Sequence, residues 1–329
     1  MSSQHSRYQR VVAALGFAKM YNFPLWVIFG GVMLGFSLAR FQYLSDQVLE
    51  DSLATGEWYW FSQNLYNTCL KIHLGCILPC GIIGVFQFLP IIRKKALLLH
   101  RIDGYIFLLL LWVSTGAALA IARRSFGGTV ETQAGVFVLS FLTLTSSSLA
   151  YYNIKRLQIE QHRAWMLRTM IYMGSIITMR ILMIISAISV TVIGSYHGLL
   201  NCDELSAIVS NSTRFDIDYP TCKSSPGTLI PIRASLGGDN MEDENASVAF
   251  RLTFGTSLWV AAVVHYLAAE IYLRLTPAES ERLRMVSYER QLERGWIHPG
   301  SGGLTSDRWG DAKWSPVPME EAASERPGK

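Results

Sequence analysis

Six long apolar runs, separated by polar segments, dominate the pattern of this chain. The first run contains nineteen residues, which at about 1.5 Å per residue just crosses roughly 30 Å of hydrocarbon. Runs of this length with few charges predict membrane-spanning α-helices. The chain is therefore predicted to be an all-α polytopic membrane protein with six helices in the lipid bilayer, a seventh being the alternative. The predicted spans are 23–41, 69–92, 105–122, 134–152, 165–193 and 252–273.

The distribution of basic residues predicts which ends of these helices face the cytosol. Lys and Arg follow the second run at 93–95 and the fourth run at 155–156, and positive residues gather on cytosolic connections. The segment 42–63, after the first run, has no Lys or Arg and carries four acidic side chains. We place this segment outside the cytosol, so both termini are predicted to be cytosolic.

The segments of the chain follow from this topology. The C-terminal tail is rich in Gly, Ser, Pro and Glu, and it is predicted to be largely disordered past Trp296. The membrane is predicted to be the endoplasmic reticulum, another endomembrane or the plasma membrane. The predicted segments are a cytosolic N-terminal segment at 1–22, five helices within 23–193, a lumenal or extracellular loop at 194–250, the sixth helix at 251–274 and the cytosolic tail at 275–329.

The predicted outer loop has three features that suit the lumenal side of a membrane. Asn211 and Asn245 each begin an Asn-X-Ser/Thr sequon, so the chain is predicted to be a glycoprotein. Cys202 and Cys222 lie in the same loop, where an oxidising compartment permits a disulfide. The loop is also net acidic. Its acidic residues are Asp203, Glu204, Asp216, Asp218, Asp239, Glu242, Asp243 and Glu244.

Composition agrees with a membrane protein and excludes one class of partner. Half of the residues are apolar and 16% are charged, against about 25% charged residues in typical soluble domains. The formal net charge is only +4, and its basic residues stand in short clusters between the apolar runs. This distribution follows membrane topology and predicts no nucleic-acid partner.

A stripe of polar and small residues runs along one face of the second predicted helix. Its members are spaced by three or four residues, so they share one helical face. An unpartnered polar group in hydrocarbon costs several kcal/mol, and this face is therefore predicted to point into the helix bundle. The alternative to a functional role is helix packing, which we favour for the two cysteines. The stripe contains His73, Cys76, Cys80, Gly84 and Gln87.

His100 and His162 each begin a predicted helix at the cytosolic boundary, and each is followed by an arginine. Two histidines at similar depth on different helices are what a bis-imidazole b-type haem requires, and Arg101 and Arg163 would suit its propionates. Imidazole could also bind another metal or move protons near neutral pH. The alternative is that positive residues gather on cytosolic connections whatever the function.

Arg180 lies within the fifth apolar run and is surrounded by methionines. A buried guanidinium is expensive unless it is paired, and intramembrane arginines commonly mark a substrate or ion contact. The alternatives are a structural ion pair, with Glu131 or Glu270 as the candidate partner, and snorkelling to the interface.

Taken in order, these residues resemble a family of predicted membrane proteins of bacteria and fungi, domain of unknown function 2306. The resemblance covers about 66–186, and the long loop and the tail outside it are closer to a fungal member. The residues that carry the resemblance are His73, Gly84, Gln87, Phe88, Arg93, Leu99, His100, Arg101, Gly104, Tyr105, Arg180 and the run from His162 to Arg168.

The helical core of this family is similar to that of cytochrome b561-type proteins, which hold two haems between four helices. Only three core histidines match here, and the fourth predicted helix contains none. The resemblance therefore implies at most one haem, between His100 and His162.

Three functions are consistent with these residues. The first is a membrane oxidoreductase with haem b between His100 and His162, an electron donor or acceptor as its partner, and His73, Gln87 and Arg180 lining a deeper pocket. The second is a cofactor-free enzyme, an acid–base cyclase or isomerase acting on a lipophilic small molecule in fungal secondary-metabolite biosynthesis. His73 or Asp103 would then transfer the proton, and Arg180 would bind a substrate oxygen. The third is a non-enzymatic scaffold or transporter.

Overall fold

The structure, a computed structural model, describes residues 2–237 and 243–316. Within that part of the chain, six helices are long and apolar enough to cross a membrane. The prediction of an all-α polytopic membrane protein with six spanning helices is therefore confirmed. These helices are α1 (Asn22–Leu44), α2 (Asn64–Gln87), α3 (Leu97–Ile121), α4 (Val130–Lys155), α5 (Ile159–Ile193) and α6 (Asp243–Arg274).

The helices begin before the apolar runs that predict them, by one residue in α1 and by nine in α6, whereas α2 ends at Gln87, before the end of its run at 92. Helix α6 begins at Asp243 and not at 251 as predicted. Asp243 and Glu244 lie in its first turn, where carboxylates interact favourably with the positive end of the helix dipole. Hydropathy reports only the part of a helix that is apolar, so polar first and last turns escape it.

Shorter elements connect the spanning helices. Residues Trp26–Gly30 within α1 form a π-helical turn. The helix that follows α6 is α7 (Pro277–Glu293). The other short helices are Ser2–Ala14, Asp46–Ser52, Trp58–Phe61, Pro90–Lys95, Cys202–Ile208, Ser212–Asp218 and Pro220–Ser224. Single 3₁₀ turns lie at Ser125–Gly128 and Ser306–Trp309, and the last turn of α1, Phe41–Leu44, is also 3₁₀.

The chain divides into two compact units, and the first consists of residues 1–140 and 174–262. Its helices α1 and α2 approach closely at Gly81, where an added Cβ would lie 2.5 Å from the Ser37 hydroxyl. Helices α2 and α3 meet where the Cys80 thiol reaches the Phe107 carbonyl at 3.5 Å. The small residues of the α2 stripe thus serve packing here, as membrane helix interfaces commonly use them.

The loop between α5 and α6, named the outer loop after its predicted location, is folded. Its strands β1 (His197–Asn201) and β2 (Leu229–Arg233) pair antiparallel, with Leu199 opposite Pro231. The residues between them form three of the short helices. A disulfide joins Cys202 to Cys222, whose Cα atoms are 5.5 Å apart. Of the acidic residues predicted for this loop, Asp239 and Glu242 lie outside the described residues.

The second unit consists of residues 141–173 and 263–329, and it differs from the predicted disorder past Trp296. Residues 297–316 are described. Three fully buried polar side chains bind their glycine-rich part, namely Asn153, Gln158 and Gln291. Gln158 accepts from the backbone N–H of Gly303 at 2.8 Å, and Asn153 accepts from that of Leu304 at 2.9 Å. Low hydropathy predicts disorder because it does not register such polar contacts. The remainder of the tail, 317–329, lies outside the described residues.

Candidate functional site

Three charged side chains are buried together in the first unit. Glu57, Glu204 and Arg251 expose only 2%, 4% and 9% of their surface. We call these three residues the buried ion cluster. Charged groups are almost never this buried unless they are paired, and a site that keeps them so is a candidate for function.

Each member of the buried ion cluster comes from a different segment of the chain. Glu57 directly precedes the short helix Trp58–Phe61. Glu204 lies in the first turn of helix Cys202–Ile208, whose N-terminus is capped by the Asn201 side chain. Arg251 lies on α6. The folded outer loop is thus what brings Glu204 to the spanning helix.

Arg251 and Glu204 form the tight pair of the cluster. Arg251 Nη2 lies 2.5 Å from Glu204 Oε1. The Trp60 indole N–H donates to the same carboxylate oxygen at 2.6 Å. A buried carboxylate with a guanidinium and a second donor retains its charge at lower cost. Glu204 therefore neutralises Arg251.

Glu57 is held less completely. Its Oε2 accepts from the backbone N–H of Phe126 at 2.8 Å, whereas its Oε1 is 4.0 Å from Arg251 Nη2. Within the described residues, Glu57 Oε1 and Arg251 Nε are buried without a hydrogen-bond partner. Burial raises the pKa of Glu57 from 4.5 to about 7, although Phe126 and Arg251 act to lower it. At neutral pH this carboxyl group is thus poised to give or to take a proton.

Backbone geometry at two positions allows this arrangement. Gly56 has φ +85°, and an added Cβ there would lie 2.6 Å from the Ser247 hydroxyl and 3.2 Å from Arg251 Nη2. Phe126 has φ +49°, a left-handed conformation that non-glycine residues rarely adopt and that costs about 1–3 kcal/mol. Strain of this kind persists where the surroundings enforce it. Here it aims the Phe126 N–H at Glu57.

Two further arginines surround the cluster. The guanidinium of Arg124 lies 3.6 Å from the centroid of the Trp60 ring, and its Nε is buried without a hydrogen bond in the described part of the chain. Arg180 lies over the stacked rings of Phe126 and Phe254, 5.2 Å and 5.7 Å from their centroids. Glu57 is among the charges that act on Arg180. Arg180 thus joins Arg251 as a positive charge that acts on Glu57.

The predicted partners of Arg180 are engaged elsewhere. Glu131 accepts from the Thr256 hydroxyl at 2.7 Å. Glu270 forms a two-point ion pair with Arg168, at 2.7 Å and 3.0 Å. The structure therefore pairs neither Glu131 nor Glu270 with Arg180, and the ion pair considered for Arg180 is wrong for both carboxylates. Arg180 instead lies over the rings of Phe126 and Phe254 and interacts electrostatically with Glu57.

His73 and Gln87 do not form one pocket with each other. His73 Nδ1 lies 2.9 Å from the hydroxyl and 3.0 Å from the carbonyl of Ser114, which ties α2 to α3. Gln87 lies fourteen residues further along α2, about 21 Å at the helical rise, where its Oε1 approaches Gly104. The contacts of His73 are those of a helix-packing residue.

The four residues predicted to hold haem are distributed over both units. His100 and the exposed Arg101 belong to the first unit, while His162 and Arg163 belong to the second. His162 Nδ1 lies 2.9 Å from the Ala150 carbonyl, and Arg163 donates to Thr276 at 3.5 Å. These contacts suit helix packing. Among the described residues, no three or more His, Cys, Asp or Glu side chains are grouped as in a metal site.

The two sequons occupy different surroundings. Asn211 is exposed and its side chain caps helix Ser212–Asp218, accepting from the Arg214 N–H at 3.1 Å. Asn245 lies half-buried in the first turns of α6, and the hydroxyl-bearing Ser247 of its sequon is 1% exposed.

Sequence reasoning missed Glu57, Glu204 and Arg251 as site residues. One signal was present in the chain. Arg124 and Arg251 stand at helix ends that the predicted topology places outside the cytosol, against the usual preference of basic residues for the cytosolic side. Basic residues on that side need a reason other than topology, and buried acidic partners provide one.

Comparisons with known proteins give a matching family model and a similar protein. The model of a family described as "Predicted membrane protein (DUF2306)" matches residues 70–212, which confirms the resemblance predicted from the sequence. The chain is also similar to the "Ava biosynthesis cluster protein G" of Aspergillus versicolor, with 23% identity over 83% of this chain and 94% of the relative. No solved structure matches the chain. The predicted similarity to cytochrome b561-type proteins finds no support in these matches.

Proposed function

We propose that this protein is a membrane-embedded tailoring enzyme of a fungal biosynthetic pathway that moves a proton on a lipophilic substrate without a cofactor. The observation that carries the proposal is Glu57, a carboxyl group that is 2% exposed, has a pKa of about 7 and keeps one oxygen without a hydrogen bond among the described residues. The relative encoded in a biosynthesis cluster supports the pathway context. Both support the cofactor-free hypothesis better than the haem hypothesis.

The chemistry uses residues of this chain alone. Neutral Glu57 donates its proton to a carbonyl oxygen or an alkene carbon of the substrate, and the resulting carboxylate takes a proton from a neighbouring carbon. The net result is an isomerisation or ring closure in which nothing is oxidised or reduced. The positive charge of Arg180 stabilises the carboxylate and any oxyanion that forms, and Arg251, which is paired with Glu204, adds to it. Arg180 keeps the role predicted for it, and Glu57 replaces His73 as the proton donor.

A lipophilic substrate also needs a route from the bilayer. A groove of about 390 Å³ lies between the end of α3 and the start of α4, and its lining is apolar apart from one side chain. The loop that joins these two helices carries Phe126, whose N–H binds Glu57. The lining residues are Leu119, Ala122, Val130, Gln133, Ala134 and Phe137.

The test is metabolite analysis of the producing fungus. Deletion of the gene is expected to accumulate an uncyclised or unrearranged lipophilic precursor. Complementation with Glu57→Gln should fail, with a loss of turnover of about 10² or more, because the amide keeps the Phe126 hydrogen bond but carries no transferable proton. Glu50→Gln is the matched control, since Glu50 is an exposed carboxylate on the neighbouring short helix.

Two results would contradict this function. One is full product formation by the Glu57→Gln strain. The other is a haem Soret band in the purified protein that is lost on replacement of His100 or His162, which would favour the oxidoreductase hypothesis.

A further inference from the structure

A cleft of about 300 Å³ in the second unit is unrelated to the buried ion cluster. It lies where α4 ends, because Arg156 directly follows the last residue of that helix. The tail contributes its other wall, including Trp296, His298, Gly302 and Arg308.

Two guanidinium groups converge in this cleft. Arg156 Nε donates to the Gly302 carbonyl oxygen at 3.0 Å. Arg308 Nη1 approaches the same oxygen at 3.4 Å and donates to the Gly303 carbonyl at 3.1 Å. Two like charges that share one acceptor repel each other, and an anion between them would turn this repulsion into attraction.

Among the described residues that line the cleft, none is a carboxylate. Asp307, an acidic side chain of the same tail segment, pairs with Arg284 at 2.7 Å and accepts from the Ser301 hydroxyl. The described walls of the cleft thus offer no negative charge to Arg156 and Arg308.

The cleft is preformed. Gln291 accepts from the Gly300 N–H at 2.8 Å and donates to the Arg156 carbonyl at 2.9 Å, so it joins both walls. Gln158 donates to the Gly300 carbonyl at 2.9 Å. An added Cβ at Gly302 would lie 2.4 Å from the Trp296 ring, so the backbone there requires glycine. A ligand would meet cations already held in place, which lowers the entropic cost of binding.

We propose that this cleft binds a phosphate group, held between Arg156 and Arg308. Guanidinium groups present several N–H donors in a fixed plane, and phosphate oxygens match that geometry. The guanidinium of Arg156 lies 5.1 Å from the Trp296 ring centroid, which orients it toward the cleft. Since Arg156 follows a membrane-spanning helix, the phosphate is either that of a lipid headgroup at the membrane surface or that of a soluble anion.

Hydrogen–deuterium exchange of the full chain in micelles of dodecyl maltoside, a detergent without phosphate, tests this proposal. Inorganic phosphate, added at constant ionic strength, is one probe, and phosphatidic acid mixed into the micelles is the other. Exchange of the segment 295–308 should slow about tenfold at a phosphate concentration ten times Kd. A response to inorganic phosphate identifies a soluble anion, and a response to phosphatidic acid alone identifies a headgroup.

The variants decide whether the cleft is responsible. Arg308→Gln should abolish the protection, and Arg308→Lys should retain part of it. Arg294→Gln removes an exposed charge nearby that does not line the cleft, and it should respond like the unmodified protein. Arg156→Gln, on the opposite wall, serves as the second variant if Arg308→Gln already exchanges fast without any anion. The proposal is overturned if neither probe slows exchange, or if both glutamine variants are protected as well as the unmodified protein.

Discussion

Glu57 is a carboxyl group whose surroundings oppose its ionisation. Burial, its largest influence, raises its pKa to about 7, and Glu204 adds to this effect, while Phe126 and Arg251 act against it. A raised pKa means that the folded protein holds this proton more tightly than the unfolded chain does. Function and stability therefore depend on the same proton.

The stability consequence has a definite sign. Because the folded pKa of Glu57 is raised, its stabilising contribution is fully present below pH 4.5 and is lost as the pH rises through about 7. At about 1.4 kcal/mol per pKa unit, ionisation costs the folded state roughly 3 kcal/mol. Glu57→Gln cannot ionise, so it should unfold at a higher temperature than the unmodified protein at pH 8.

Thermal unfolding in detergent at pH 5 and pH 8 measures this difference. The advantage of Glu57→Gln should shrink at pH 5, where the carboxyl group is protonated. Glu50→Gln should behave like the unmodified protein at both values. An advantage of equal size at pH 5 and pH 8 would show that the proton of Glu57 is not its cause.

At the scale of elements, the spanning helices can be predicted from hydropathy, because backbone polar groups without hydrogen bonds are costly in the bilayer. The buried ion cluster does not follow from it. Glu57 lies in a polar connection between two spanning helices, and Arg251 lies at the edge of an apolar run. Glu204 lies in a loop for which the sequence indicates only an acidic composition. Their proximity depends on the fold of the outer loop, including strands β1 and β2, which local patterns do not encode.

Helix packing also rests on single glycines that hydropathy does not distinguish. Gly81 and Gly75 are both on α2. An added Cβ at Gly81 would lie 2.5 Å from the Ser37 hydroxyl of α1, whereas one at Gly75 would meet no described atom of another element within 4 Å. Gly81→Ala should therefore force the Ser37 hydroxyl out of its position and lower the free energy of unfolding by about 1 kcal/mol. Gly75→Ala adds only helix propensity and should be neutral or slightly stabilising.

Chemical unfolding of the two alanine variants in the same detergent provides the comparison. Both variants replace a glycine of α2 by alanine, so the gain in helix propensity is the same in both. The difference in stability therefore reports the contact at Gly81. Equal stability of Gly81→Ala and Gly75→Ala would mean that the contact between Gly81 and the Ser37 hydroxyl does not constrain the packing of α1 on α2.

At the scale of the whole molecule, the orientation in the membrane stays a prediction from charge. Basic residues follow α2 at 93–95 and stand at the end of α4 at 155–156, and both connections would lie in the cytosol. The folded outer loop would then lie in the lumen, where its disulfide between Cys202 and Cys222 is chemically favoured. In this orientation the buried ion cluster would lie on the lumenal side, and the lumenal pH would set the protonation state of Glu57.

Glycosylation reports this orientation directly, because glycans are added only on the lumenal side. Asn211 is exposed at the start of a short helix, so it should carry a glycan, and enzymatic deglycosylation should increase the mobility of the protein on a gel. Asn211→Gln should reproduce that mobility. Asn245→Gln should change it little, since Asn245 is half-buried in α6 beside the buried Ser247. New sequons placed at 93–95 are the opposite control and should stay unmodified. Modification there, with none at Asn211, would show that the topology is the opposite of the predicted one and that the outer loop lies in the cytosol.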